Sequence, residues 1–168
     1  MKKYMGKYIG VLFLLTTMIP AFSQGLHFQG IGGSLSIVDP EGVSGTIGIG
    51  AHVDLGEITH NLVLYPGIDY WNHDNVSSFT LNGDVRYYFS PSPNFDLFLG
   101  GGLALSFLSF DLGPARDFND TEVGLNILGG VDVPVSTNLT FTGGINFLIS
   151  DPDAVKIIAG LTYSLGSK

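Results

Sequence analysis

The sequence predicts an all-β fold, an antiparallel up-and-down barrel of about eight strands. Three observations carry that expectation: side chains alternate with a period of two, turn residues recur at short intervals, and apolar residues never form a long block. The chain has 24 Gly, 12 Phe and 7 Tyr, only 13% charged residues, and a mean hydropathy of +0.33. Disordered chains have low hydrophobicity, so disorder is excluded. Apolar content without a run of ~20 apolar residues excludes a spanning helix and leaves alternation as the way to hold it.

Residues 1–23 read as an export signal. Lys2, Lys3 and Lys7 make a positive start, Val11-Leu-Phe-Leu-Leu15 makes a short apolar run, and Ala21-Phe-Ser23 offers the small residues a signal peptidase reads. Residues 24–168 are then the mature domain. Without those three lysines it carries 4 basic against 15 acidic residues, a formal charge of −11. Such a surface is unsuited to nucleic acid, whose phosphates need basic partners. Cysteine is absent, which removes disulfides and thiolate metal sites.

The pieces follow in chain order, divided by turn chemistry at 38–42, 56–59, 73–75, 90–94, 111–120, 134–137 and 151–153. The first, 26–37, has two phases, and a bulge near Gly30 would reconcile them. In 45–55, Ile47, Ile49, Ala51, Val53 and Leu55 oppose Thr46, Gly48, Gly50, His52 and Asp54. In 62–70, Leu62, Leu64, Ile68 and Tyr70 oppose Val63, Tyr65, Gly67 and Asp69. Residues 79–89 read FTLNGDVRYYF, with Phe79, Leu81, Val85, Tyr87 and Phe89 against Thr80, Asn82, Asp84 and Arg86. In 97–107 Leu97, Leu99, Leu103, Leu105 and Phe107 share a face, and in 122–133 Val123, Leu125, Ile127, Val131 and Val133 oppose Glu122, Asn126 and Asp132. The last two pieces set Leu139, Phe141, Ile145, Phe147 and Ile149 against Thr and Asn, then Val155, Ile157, Leu161, Tyr163 and Leu165 against Lys156 and Thr162.

Which face is inside follows from the polar parity. A water-facing strand favours Lys, Glu, Thr and Arg, whereas this parity is mostly Gly, Ala, Ser, Thr and Asn with isolated charges. Small polar residues suit the crowded lumen of an eight-stranded barrel, and an apolar exterior suits lipid. The expected fold is therefore a transmembrane β-barrel. Tyr70, Phe79, Phe107 and Phe147 fall near one set of turns and Tyr87, Phe89, Phe95 and Tyr163 near the other, where interfacial girdles belong.

This architecture resembles the small eight-stranded bacterial outer-membrane barrels, the family of the OmpA transmembrane domain and OmpX. The closing segment Ala159-Gly-Leu-Thr-Tyr-Ser-Leu165 is similar to that family's assembly signal, with Leu161, Tyr163 and Leu165 in phase, although the chain runs on to Gly166-Ser-Lys168. The resemblance implies a monomer in the cell outer membrane, in contact with its lipids and lipopolysaccharide, delivered by the barrel-assembly machinery. It also implies a periplasmic N-terminus, so the first, third, fifth and seventh turns face outward with Asp39, Glu41, Asp74, Asp111, Asp117, Asp120, Asp151 and Asp153.

Charges in a low-dielectric lumen must be paired or hydrogen-bonded. Two stacked ion-pair clusters are expected: Arg86 with Asp54 and Asp132 toward the periplasm, and Lys156 with Glu122 and Asp69 toward the outside, Asp84 and His52 lying on the same parity. They are expected to plug the lumen, giving a structural role with surface interaction or narrow solute passage as its possible extensions. Two rival readings stand beside it. A soluble lipocalin-like barrel would line a pocket with the apolar parity. A barrel enzyme would need a base beside a nucleophile; His52 with Asp54 and His73 with Asp74 are the candidates, each better read as lumen polarity and as a turn. Asp117-Phe-Asn-Asp120 with Glu122 lacks the glycine and spacing of a calcium loop, so no metal and no cofactor are expected.

Overall fold

The computed structural model describes residues 27–42, 44–111 and 117–165. The expected export signal lies outside them, as do residues 112–116 and 166–168. The described chain forms nine strands and no helix: β1 (Gly30–Pro40), β2 (Thr46–Asp54), β3 (Glu57–Thr59), β4 (Leu62–His73), β5 (Val76–Ser92), β6 (Phe95–Asp111), β7 (Asp117–Ser136), β8 (Leu139–Ile149) and β9 (Ala154–Ser164). All pairings are antiparallel. Each strand joins its chain neighbour except β2 and β3, β1 joins β9, and β2 joins β4, so eight strands close into a barrel with no free sheet edge around its waist.

The short β3 continues β2 past a kink at Gly56 and pairs with the inner end of β4. Gly56 has φ +78°, a conformation glycine adopts without steric cost, and the Asp54 carboxylate accepts its N–H at 2.8 Å. Register irregularities occur at Glu57/Thr59, Phe89/Ser92 and Pro134/Ser136. All three lie at the end that also carries both chain termini. Pro134 has no N–H for the ladder, and a bulge tolerates that loss.

The expected bulge at Gly30 is absent. Residues 27–29 precede the strand, and β1 alternates without a break from Gly30, which pairs with Asp54 and Ser164. The mixed phase of the sequence came from joining a tail to a strand. That tail is held by backbone bonds, Gln29 N–H to Asp54 O at 2.8 Å and Leu165 N–H to Gln29 O at 2.7 Å.

The expected long loop at 111–120 is shorter. β6 and β7 continue as a ladder to the Asp111–Asp117 pair. Because β8 meets β7 only from Leu125, this hairpin rises past its neighbour on that side.

Exposure follows the alternation, inverted relative to a soluble protein. Leu35, Ile47 and Leu99 are 62%, 72% and 62% exposed, while Thr80, Asn82, Asp84, Arg86 and Lys156 are buried. The aromatics Tyr70, Phe79, Phe107 and Phe147 sit on the outside near one rim, and Tyr87, Phe89 and Tyr163 near the other.

Candidate functional site

The lumen is the site that the alternation builds, and it has three storeys. At the rim beside the 73–76 and 149–154 turns the inward side chains include an apolar group. Val38, Trp71, Ala104, Leu108, Leu148 and Ala154 form one buried cluster, with Val76 and Phe110 packed against it. A space of about 10 Å³ remains beside it, lined by Trp71, Ser78, Ser106, Glu122 and Ser150.

Below the cluster the lumen is hydrogen-bonded. Lys156, 2% exposed, donates to Asp69 Oδ2 at 2.8 Å, and Asn82 Nδ2 donates to the same oxygen at 2.9 Å. Asn126 Nδ2 then bridges Asn82 Oδ1 and Asp84 Oδ1 at 2.9 and 2.8 Å. One chain of contacts thus links β9, β4, β5 and β7 across the barrel. Next to it, Ser78, Thr80 and Ser106 share hydroxyl bonds at 3.4 and 3.0 Å. A cavity of about 60 Å³ sits at this level, bounded by His52, Asp69, Asp84, Arg86 and Asn146 among others.

The third storey centres on Arg86. Its guanidinium lies 3.5 Å from the centre of the Tyr65 ring and 4.5 Å from that of Phe98. Its Nε and Nη1 have no hydrogen-bond partner in the protein. A desolvated cation over aromatic faces gains ~2 kcal/mol, which offsets part of that deficit. Tyr88 and Thr142 donate to the two oxygens of Asp132 at 2.9 and 2.6 Å. His52 stacks on Tyr65 at 4.7 Å and shares a 2.8 Å bond with Thr162, whose hydroxyl also meets Tyr65 at 3.0 Å. Gly32 permits this, because a Cβ there would meet the His52 ring.

The charged residues named from sequence take different kinds of contact. Lys156 and Asp69 meet. Glu122 lines the small space beside the apolar cluster, Arg86 lies over rings, Asp132 takes hydroxyls, Asp84 takes an amide, and Asp54 accepts the Gly56 N–H. His73 Nε2 lies 3.4 Å from Asp74 Oδ2 at an outer turn. Leu161, Tyr163 and Leu165 are all about half exposed on the exterior. The side chains of Asp117 and Asn119, part of the weighed calcium loop, lie outside the described residues. Among the described residues no group of three or more His, Asp or Glu could hold a metal ion.

Tyr65, Phe98 and the asparagines were absent from the expected site. Their signal was available: an aromatic on the polar parity of a barrel strand must point into the lumen.

Residues 9–164 match the family model for an outer membrane protein beta-barrel domain. No curated relative matches the chain. Among solved structures, Neisserial surface protein A aligns with a TM-score of 0.67 at 16% identity, covering 82% of this chain and 96% of that one. The N-terminal β-barrel domain of Pseudomonas aeruginosa OprF aligns at 0.65 and 13%, covering 82% and 98%. Ail, the attachment invasion locus protein of Yersinia pestis, aligns at 0.61 and 12%, covering 84% and 99%.

Proposed function

The chain belongs to the outer-membrane β-barrel domain family, and from that premise we propose that it is a lipid-embedded structural barrel whose lumen is a plug and not a conduit. One observation carries this reading: the inward side chains of all three storeys are packed or paired across the barrel, from the Trp71 cluster through Lys156–Asp69 to Arg86 on its rings. An ion crossing would have to open an apolar layer and break a buried charge pair, each costing several kcal/mol.

The same reading assigns residues 1–23 to export and places the barrel among outer-membrane lipids and lipopolysaccharide as a monomer. The outward Leu161, Tyr163 and Leu165 are offered to the barrel-assembly machinery. The lumen residues are structural, and the role extends to surface contact only through the outer turns, of which the β6–β7 hairpin rises highest. Wild-type protein in a planar lipid bilayer should show no large steady openings, and such openings would contradict the plug. Recovery in the sarkosyl-insoluble envelope fraction, with heat-modifiable migration on a gel, is expected for the barrel. Release by osmotic shock in detergent-free soluble form would favour the lipocalin-like alternative.

A further inference from the structure

The strand registers define a closed level around the exterior, and its place relative to the aromatic girdles locates the membrane. Start at Gly101 on β6. Its partner on β7 is Ile127, and the next outward position toward the inner rim is Gly129. Gly129 leads in the same way to Gly143 on β8, and Gly143 pairs directly with Ala159 on β9. From Ala159 the path steps inward to Gly33 on β1, crosses directly to Ala51 on β2, and steps inward to Pro66 on β4. Pro66 pairs with Gly83 on β5, and one more inward step returns to Gly101. Five two-residue steps in one sense bring the path back to its starting residue. The path closes after a total slide of ten residues over eight strands, so its eight positions lie within about one and a half residues, roughly 4 Å, of one height on a tilted barrel.

The girdles are equidistant from this level. Tyr70, Phe79 and Phe147 lie four residues to one side along their strands and Phe107 six; Tyr87 and Tyr163 lie four to the other side and Phe89 six. Large apolar side chains occupy the outward positions between, among them Ile49, Ile127 and Leu161. At ~3.3 Å per residue and a tilt of ~40°, a band five residues deep on each side is about 25 Å tall, the height of an outer-membrane apolar band.

Every residue on this closed path is Gly, Ala or Pro. The chain's own packing does not demand this at Gly33 or Gly143, where an added Cβ would find its nearest neighbours at 3.6 and 3.7 Å. The contrast is with inward glycines such as Gly32, Gly102 and Gly130, where a Cβ would strike backbone and side chains. At Gly129 the outward Leu99 side chain covers part of the gap, 3.1 Å from such a Cβ, while the space at Gly33 and Gly143 opens outward.

Resting on the membrane reading above, we propose that the bilayer midplane crosses the barrel at this closed level, the waist being filled by acyl-chain ends where the two leaflets meet. The girdles then sit at the two headgroup boundaries. The β6–β7 hairpin, whose Asp117 lies twelve residues from Gly129 along β7, stands clear of the lipid on the outer side, while the turn after Ile149 sits at its surface.

The absence of cysteine makes the test direct. Single variants Ala51→Cys, Gly101→Cys, Ala159→Cys, Val155→Cys and Tyr163→Cys are spin-labelled and reconstituted in phosphatidylcholine vesicles. Depth is read from the ratio of oxygen to nickel-chelate accessibility. Labels at 51, 101 and 159 should share the greatest depth, with 155 and 163 each ~10 Å shallower by the same geometry. A maximum at 155 or 163, or depths at 51, 101 and 159 that differ by about half that distance, would overturn the assignment while leaving a lipid-embedded barrel. Full nickel accessibility at all five positions would overturn the membrane reading itself.

Discussion

Val85 and Arg86 are neighbours in the chain and belong to two different chemistries. The outward face that holds Val85 meets a fluid that conforms to any apolar shape, so it is constrained in hydrophobicity and little in detail. The inward face that holds Arg86 meets other side chains, so every hydrogen bond and every cubic ångström counts. Along FTLNGDVRYYF the two rules alternate residue by residue. The lesson is that one β pattern can be indifferent to shape on one side and exacting on the other.

Five substitutions, in three tests, sharpen that contrast. The largest effect belongs inside. Asp69→Asn leaves the buried Lys156 ammonium without its counter-charge, and loss of one partner of a buried pair costs about 3–5 kcal/mol. Equilibrium urea unfolding from lipid vesicles should show that loss, and an unchanged midpoint would mean the pair is not structural. On the outer face Ile127→Arg should cost ~2–4 kcal/mol, while Val135→Arg near the inner rim should cost ~1 kcal/mol or less, because the penalty depends on depth in lipid. Equal costs at the two positions would break the assignment of this face to a membrane. The smallest pair is the most local. Gly32→Ala drives a methyl group against His52 and the Leu161 carbonyl and should cost ~1–3 kcal/mol, whereas Gly33→Ala, one residue on, points into open space and should change stability by under ~0.5 kcal/mol. Equal values for these neighbours would dissolve the distinction between the faces.

Much of this was legible before folding. The period of two, the turn spacing and the small polar residues opposite large apolar ones led to a closed barrel with Asp84 and Arg86 inside, because these are local properties of a pleated strand. The ends of the strands were less legible. Val38, Trp71, Leu108 and Ala154 each fall one residue outside the segments expected from sequence, and with Ala104 and Leu148 they are the apolar cluster of the lumen. An apolar residue on the polar parity beside a turn reads as the end of alternation, when it is alternation continued with the lumen's own filling. The same effect turned the last four of the sixteen β6–β7 pairs into an expected loop.

Partner choice was the least legible. The polar parity identifies which side chains share the lumen, but it does not say which pairs meet. That depends on the shear, which sets how far each strand slides past its neighbour. Lys156 and Asp69 are 87 positions apart and come within 2.8 Å because of it. Arg86 lies over Tyr65 and Phe98, beside the Tyr88–Asp132 pair, for the same reason. The sequence by itself determined the strands, their two faces and the side on which charge is buried, since each rests on neighbours two residues apart. Only the tertiary structure decided the heights, and hence the pairs, because height is a property of the closed ring and of no single strand.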